Sequence, residues 1–134
     1  MSLFSDTIQF RVRYGETDQM GVVYHANYII YFELGRTEWL RKLGVSYKWM
    51  EENNVILPII DIAIQYKSPA YYDDILTLKT TLQKLPSVKV YFKFELYNEK
   101  GNLLALGATT LAFMKKDTNK PMRAPDFILN KLQD

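Results

Sequence analysis

The stretch from about Ala26 to Leu43 constrains the fold more than any other part of this chain. Ile29, Phe32, Arg36, Trp39 and Leu43 recur every three or four residues, as do Ile30, Leu34 and Leu40, which is a helical period. Tyr28, Ile29, Ile30, Tyr31 and Phe32 nearly surround its first half with apolar groups, so this helix should be buried on more than one side. After Asn53-Asn54 the chain alternates apolar and polar residues almost to its end. One sheet needs one face covered, and one long apolar helix can cover it if the sheet curls around the helix. The expectation is an α+β fold, a curved antiparallel sheet wrapped around one long central helix. Its other sheet face and its edges would be natural dimer surfaces.

The remaining elements fit that frame. Thr7 to Tyr14 alternates at period two and reads as a strand, followed by a loop from Gly15 to Gly21. Gly44 supplies the helix stop, and Ser46 opens a short amphipathic turn through Trp49 and Met50. Ile60, Ile62, Ile64 and Tyr66 alternate against Asp61, Ala63, Gln65 and Lys67 until Ser68-Pro69-Ala70 breaks the run. Tyr71-Tyr72-Asp73-Asp74 crosses to a strand from Ile75 to Leu85, and Pro86-Ser87 turns it into another from Val88 to Tyr97. Asn98-Glu99-Lys100-Gly101 is a hairpin signal before the last strand, Leu103 to Lys115. Pro125-Asp126-Phe127 opens a short terminal helix. No repeat or linker divides the chain, so a single domain over 1–134 is expected.

Composition removes several function classes. With no cysteine there is no disulfide and no thiolate chemistry, and one histidine makes a zinc site a poor expectation. Seventeen basic and fifteen acidic residues leave a net charge of +2, dispersed without a stripe, so no nucleic-acid partner is expected. No apolar run approaches the ~18 residues of a membrane span and the N-terminus lacks a signal pattern, which gives a cytoplasmic expectation without stable membrane insertion. Met1-Ser2-Leu3, a segment of the kind expression vectors leave, is given no weight. The ten tyrosines, seven phenylalanines and two tryptophans suit a well-filled core and a subunit interface.

The chemistry concentrates in the run from Tyr14 to Tyr28, where Asp18 and the lone His25 stand seven positions apart before the apolar helix. Asp18 can act as nucleophile on an acyl carbon or as general base toward water; the alternative is a loop aspartate closing an Asx-type turn. A helix beginning just after His25 would offer unpaired backbone N–H groups to an oxyanion. His25 itself is either a hydrogen-bonded structural residue or, if functional, a neutral imidazole, because the positive helix end disfavours imidazolium. Glu33 and Arg36 read first as an internal ion pair and second as a carboxylate lining the same pocket. Lys84, Ser87 and Lys89 surround one hairpin, where they are either simply solvated or placed to hold phosphates.

These residues closely resemble a known family. The run from Tyr14 to Tyr28, with Tyr31-Phe32-Glu33 and Arg36 after it, is similar to the hot-dog-fold acyl-CoA thioesterases, in the branch of the 4-hydroxybenzoyl-CoA thioesterase and the Tol–Pal-associated acyl-CoA thioester hydrolases. Tyr72-Asp73-Asp74-Ile75-Leu76 resembles the family's segment at the start of its middle strand. The resemblance implies a hot-dog fold, Asp18 as the catalytic carboxylate and a backbone N–H at His25 as the oxyanion donor. It implies CoA phosphates near Lys84, Ser87 and Lys89, although Leu85-Pro86 interrupts the denser basic cluster of some relatives. It also implies a homodimer or homotetramer with the site between two subunits. The acyl pocket would draw on Tyr24, Tyr28, Phe32, Pro58, Ile59 and Ile60.

The expected reaction is hydrolysis of an acyl-CoA thioester to a free carboxylic acid and CoA, with no metal and no cofactor beyond the CoA of the substrate. The helix start at Tyr24-His25-Ala26 would polarise the carbonyl while Asp18 attacks it or activates water. Thioesters lack much of the resonance stabilisation of amides, so a carboxylate and a helix end can suffice without a triad. Two rivals stand beside this reading. One is a hydratase or dehydratase on acyl thioesters, pairing His25 with Asp18 or Glu33. The other is a non-catalytic acyl-CoA-binding protein in which Asp18 only shapes its loop. The sequence around Asp18 favours the thioesterase over the first, and the want of a basic stripe counts against a regulatory binder.

Overall fold

The computed structural model describes residues 4–133. Met1-Ser2-Leu3 and the last residue of the expected 1–134 domain lie outside the described residues. The elements run β1 Ser5–Arg11, α1 Asn27–Leu43, α2 Tyr47–Glu52, β2 Val55–Ile56, β3 Ile59–Tyr66, β4 Ile75–Leu82, β5 Lys89–Tyr97, β6 Leu103–Ala112, β7 Met114–Lys115 and α3 Asp126–Leu132. Five strands form one antiparallel sheet in the order β1-β4-β5-β6-β3, so β1 and β3 are its edges.

α1 lies on one face of this sheet because its aromatic stripe meets the inward-facing alternate residues of the central strands. Phe32 stacks on Phe94 with ring centroids 4.6 Å apart, and Trp39 meets Phe92 edge-on at 5.1 Å. The approach is close. A Cβ added at Gly107 would stand 2.3 Å from the Phe32 ring, and one added at Gly35 would stand 2.5 Å from Thr80 Oγ1. Glycine at both positions lets helix and sheet touch backbone to side chain. At the far end, Lys42 Nζ reaches Asp6 Oδ1 at 2.8 Å and fastens the last helical turn to β1.

Gly44 ends α1 and Ser46 caps α2 by accepting from Trp49 N–H at 3.0 Å, both as the sequence predicts. Three expectations are corrected. The first strand stops at Arg11 rather than Tyr14, because Tyr14–Glu16 winds into a 3₁₀ turn. β4 stops at Leu82 rather than Leu85, since only Gln83 N–H continues the pairing, to Tyr91 O, before Pro86, which has no N–H to offer. The last strand divides at Phe113, whose N–H still bonds Val88 O beside β5, while on its other side Met114–Lys115 pairs with Val55–Ile56 as a second small sheet that keeps the register of β3 with β6 past Leu57-Pro58.

The helix is also less enclosed than its composition suggests. Tyr28, Tyr31, Phe32, Trp39 and Leu40 are buried, but Ile29, Ile30 and Leu34 stay exposed. A single chain therefore covers one side of α1 and leaves an apolar stripe, the kind of surface that marks an interaction site.

Candidate active site

The loop between β1 and α1 is built on Glu16. Its carboxylate accepts from the backbone N–H of Arg13 at 2.8 Å, from the Arg13 guanidinium at 2.9 and 3.0 Å, and from the Tyr31 hydroxyl at 2.9 Å. Burial pushes the Glu16 carboxyl up, but these donors outweigh it and hold the group below its ordinary range. Burial and the same hydrogen bond push the Tyr31 hydroxyl up, so it remains a donor. The backbone carbonyl of Glu16 meanwhile accepts from Tyr24 N–H at 2.9 Å and Asn27 Nδ2 at 2.8 Å. One residue thus ties the strand exit, the loop and the first turn of α1 together.

Asp18 sits half-buried on this frame. Its N–H donates to Val22 O and its carbonyl accepts from Gly21 N–H, each at 2.9 Å, closing a small loop. Oδ1 accepts from Met20 N–H at 2.9 Å, so the Asx-type turn weighed for this residue is present. That turn engages one oxygen. Oδ2 has no hydrogen-bond partner among the described residues.

α1 starts without a side-chain cap at Ala26. Among the described residues, the N–H groups of His25 and Ala26 have no acceptor. These are the orphan donors of a helix start, at the positive end of the macrodipole, where an anion is favoured. The His25 ring is exposed and tilted against Tyr24 at 4.4 Å, with no hydrogen bond to Asp18. The His25 carbonyl accepts from the Tyr66 hydroxyl at 2.8 Å, which anchors the helix start to the end of β3. Beside it, a cleft of about 310 Å³ is lined by Val23, His25, Tyr28, Tyr66, Ser68 and Pro69.

The other expected site residues divide between two ends of the sheet. Tyr24 is exposed and Tyr28 buried at the His25 end. Pro58 and Ile59 lie exposed at the opposite end of β3, and the Lys84–Lys89 hairpin lies at that same end, since both Ile59 and Val90 pair with Leu111. Lys84, Ser87 and Lys89 are all exposed, with Lys84 Nζ resting 4.7 Å from the centre of the Tyr91 ring. At about 3.3 Å per residue, the eight residues of β3 put its two ends roughly 23 Å apart. One chain brings Asp18, Tyr24, His25 and Tyr28 to one locality and leaves Pro58, Ile59, Lys84, Ser87 and Lys89 in another. Glu33 and Arg36 do form the expected ion pair, at 3.8 Å.

Sequence reasoning missed Glu16, Asn27 and Tyr66 as builders of the site. Glu16 and Asn27 stand inside the motif, but their partners Arg13, Tyr31 and Tyr24 are contacts that only a folded loop defines. Tyr66, far off in sequence, gave no local signal. Among the described residues, no three His, Cys, Asp or Glu side chains gather as a metal-ligand group.

The model of the thioesterase-like superfamily matches residues 12–132. The chain belongs to this superfamily. It is 34% identical to the acyl-CoA thioesterase YbgC of Haemophilus influenzae, over 82% of this chain and 79% of that protein. It is 29% identical to the 1,4-dihydroxy-2-naphthoyl-CoA hydrolase of Thermosynechococcus vestitus, over 88% of this chain and 82% of that one. A solved DHNA-CoA thioesterase from Staphylococcus aureus superposes with a TM-score of 0.85 at 39% identity, covering 89% of this chain and 80% of its own. The architecture is accordingly the superfamily's hot-dog fold, with α1 as the central helix and the five-stranded sheet around it.

Proposed function

We propose that this superfamily member hydrolyses acyl-CoA thioesters, with Asp18 as nucleophile or general base and the N–H groups at His25 and Ala26 as the oxyanion site. The single observation that carries the reading is the pairing of an unengaged carboxylate oxygen with unengaged helix-start donors on one loop. A thioester carbonyl lying on those N–H groups gains negative charge as it is attacked, and each such donor is typically worth roughly 3–4 kcal/mol to the transition state. As general base Asp18 takes the proton of the attacking water. As nucleophile it forms an acyl-aspartyl anhydride that a water then cleaves to the free acid. In either route the scissile C–S bond breaks and CoA leaves as its thiolate. The exposed His25 ring takes no part in this scheme; its backbone does. No metal or added cofactor enters.

The division of the expected residues supports a two-copy assembly. Antiparallel pairing of the exposed β3 edge with the same edge of a second copy sets the Tyr66 end of one chain beside the Pro58-Ile59 end of the other. Ile59, Ile60 and Tyr66 on that edge are large and exposed, a poor edge for a monomer. The reading is therefore a homodimer, or a tetramer of two such dimers, whose site joins Asp18 of one protomer to Pro58 and Ile59 of its partner, with Lys84, Ser87 and Lys89 available to CoA phosphates.

Release of free CoA from short, long and aromatic acyl-CoA substrates tests the activity. Turnover of at least one substrate is expected. Binding of CoA thioesters without turnover, or hydration of an enoyl thioester in place of hydrolysis, would overturn it in favour of a carrier or a hydratase.

A further inference from the structure

A second cleft, of about 530 Å³, lies along the later turns of α1, lined by Glu33, Arg36, Tyr47, Glu51, Leu57 and Pro58 among others. Arg36 is only 5% exposed, yet its charge is poorly matched. Nε donates to the Tyr47 hydroxyl at 3.1 Å. Among the described residues, the one carboxylate within 4 Å of its terminal nitrogens, Glu33 Oε2, is 3.8 Å away on a side chain 64% exposed, too far for a hydrogen bond. Nη1 and Nη2 have no acceptor among the described residues. Neither terminal nitrogen is among the fully buried unpartnered polar atoms, so the fork opens on the cleft, and a fork of two terminal nitrogens matches a carboxylate best.

Tyr47 adds a third donor. Its oxygen accepts from Arg36, so its own proton is free to point elsewhere, and burial pushes its hydroxyl up and keeps it protonated. Leu57 and Pro58 supply an apolar wall, and the volume falls within the range of small-ligand sites. Glu33 and Glu51 are exposed and can turn to water, where an ion pair with Arg36 would be worth little.

We infer that the Arg36–Tyr47 cleft is a carboxylate-binding subsite that receives the far end of the substrate's acyl group. This rests on the thioesterase reading and on the two-fold pairing of β3, which bring the Pro58 end of one copy, and with it this cleft, beside the His25 end of the other. The substrate class is then an acyl-CoA whose acyl chain ends in a carboxylate, the monothioester of a dicarboxylic acid.

Two measurements test this. The first compares kcat/KM for acyl-CoA pairs of equal length, one ending in methyl and the other in carboxylate, at short, medium and long chain. Wild type should prefer the carboxylate member of at least one pair by about 10-fold or more, a preference that Arg36→Met should erase and Tyr47→Phe should reduce. Tyr47→Phe keeps the ring and its packing, so it reports even if Arg36→Met fails to fold. The second titrates adipate alone by calorimetry into wild type and Tyr47→Phe, expecting binding that the variant weakens. Methyl and carboxylate members turned over alike would overturn the assignment; if adipate still bound, the cleft would serve a free acid rather than the acyl chain. If no thioester is hydrolysed, the proposed activity fails, and the adipate titration alone decides whether the cleft binds carboxylates.

Discussion

On the proposed mechanism Asp18 divides its carboxylate between structure and chemistry, Oδ1 holding Met20 N–H and Oδ2 without a partner among the described residues. The two roles separate on substitution, because Asn can keep the Oδ1 turn but cannot attack or accept a proton. On that mechanism Glu16 acts one step behind it as a positioning residue. Its Arg13 and Tyr31 contacts require a carboxylate, so Glu16→Gln is expected to lower kcat by roughly 10-fold with a smaller effect on KM. Its folded-state pKa is depressed below the ordinary 4.5, so its stabilising contribution is complete above that value and is lost as pH falls through the folded pKa. Wild type should therefore shed stability on acidification below about pH 4.5, and Glu16→Gln should lack that component in urea melts run across the same pH window. Tyr66→Phe removes one hydrogen bond from the His25 carbonyl and should cost about 2- to 10-fold in kcat, as a single neutral hydrogen bond would.

At the scale of elements, the long helix and the strands were legible because each carries one unbroken period. α1 was expected from about Ala26 to Leu43 and found from Asn27 to Leu43; Gly44 and Ser46 mark its surroundings unambiguously. What could not be read was where a ladder lapses. Nothing in Leu103 to Lys115 announces that its pairing with β3 breaks at Phe113, opposite Leu57, before Met114 resumes it with β2, since both segments keep alternating. The helix-to-sheet approach at Gly107 was likewise invisible, since a glycine in a strand does not name the ring that covers it. Gly107→Ala would drive a methyl into the Phe32 ring and should destabilise the fold by about 1–3 kcal/mol in urea titrations, with the midpoint moving and the slope unchanged.

On the scale of the whole molecule, the candidate site was half legible. The loop motif put forward Asp18, and the helix start put forward the proposed oxyanion donors, because both are local in sequence. Pro58, Ile59 and the Lys84–Lys89 hairpin came from resemblance, and one chain leaves them roughly 23 Å away along β3. No sequence period encodes a two-fold axis. If that axis runs along β3, a charge on the edge should break it: Ile60→Lys is expected to shift the protein from dimer toward monomer in sedimentation and to lower activity at dilute concentration, whereas an unchanged mass would place the pairing elsewhere. The claim on which everything else depends is that Asp18 performs the hydrolysis on donors supplied by the helix start. Steady-state CoA release by wild type beside Asp18→Asn, with thioester binding measured on both, tests it most directly. The expected result is a loss of ~100-fold or more in kcat with binding retained; a variant that turns over as fast as wild type would contradict the assignment and reduce Asp18 to the turn it closes.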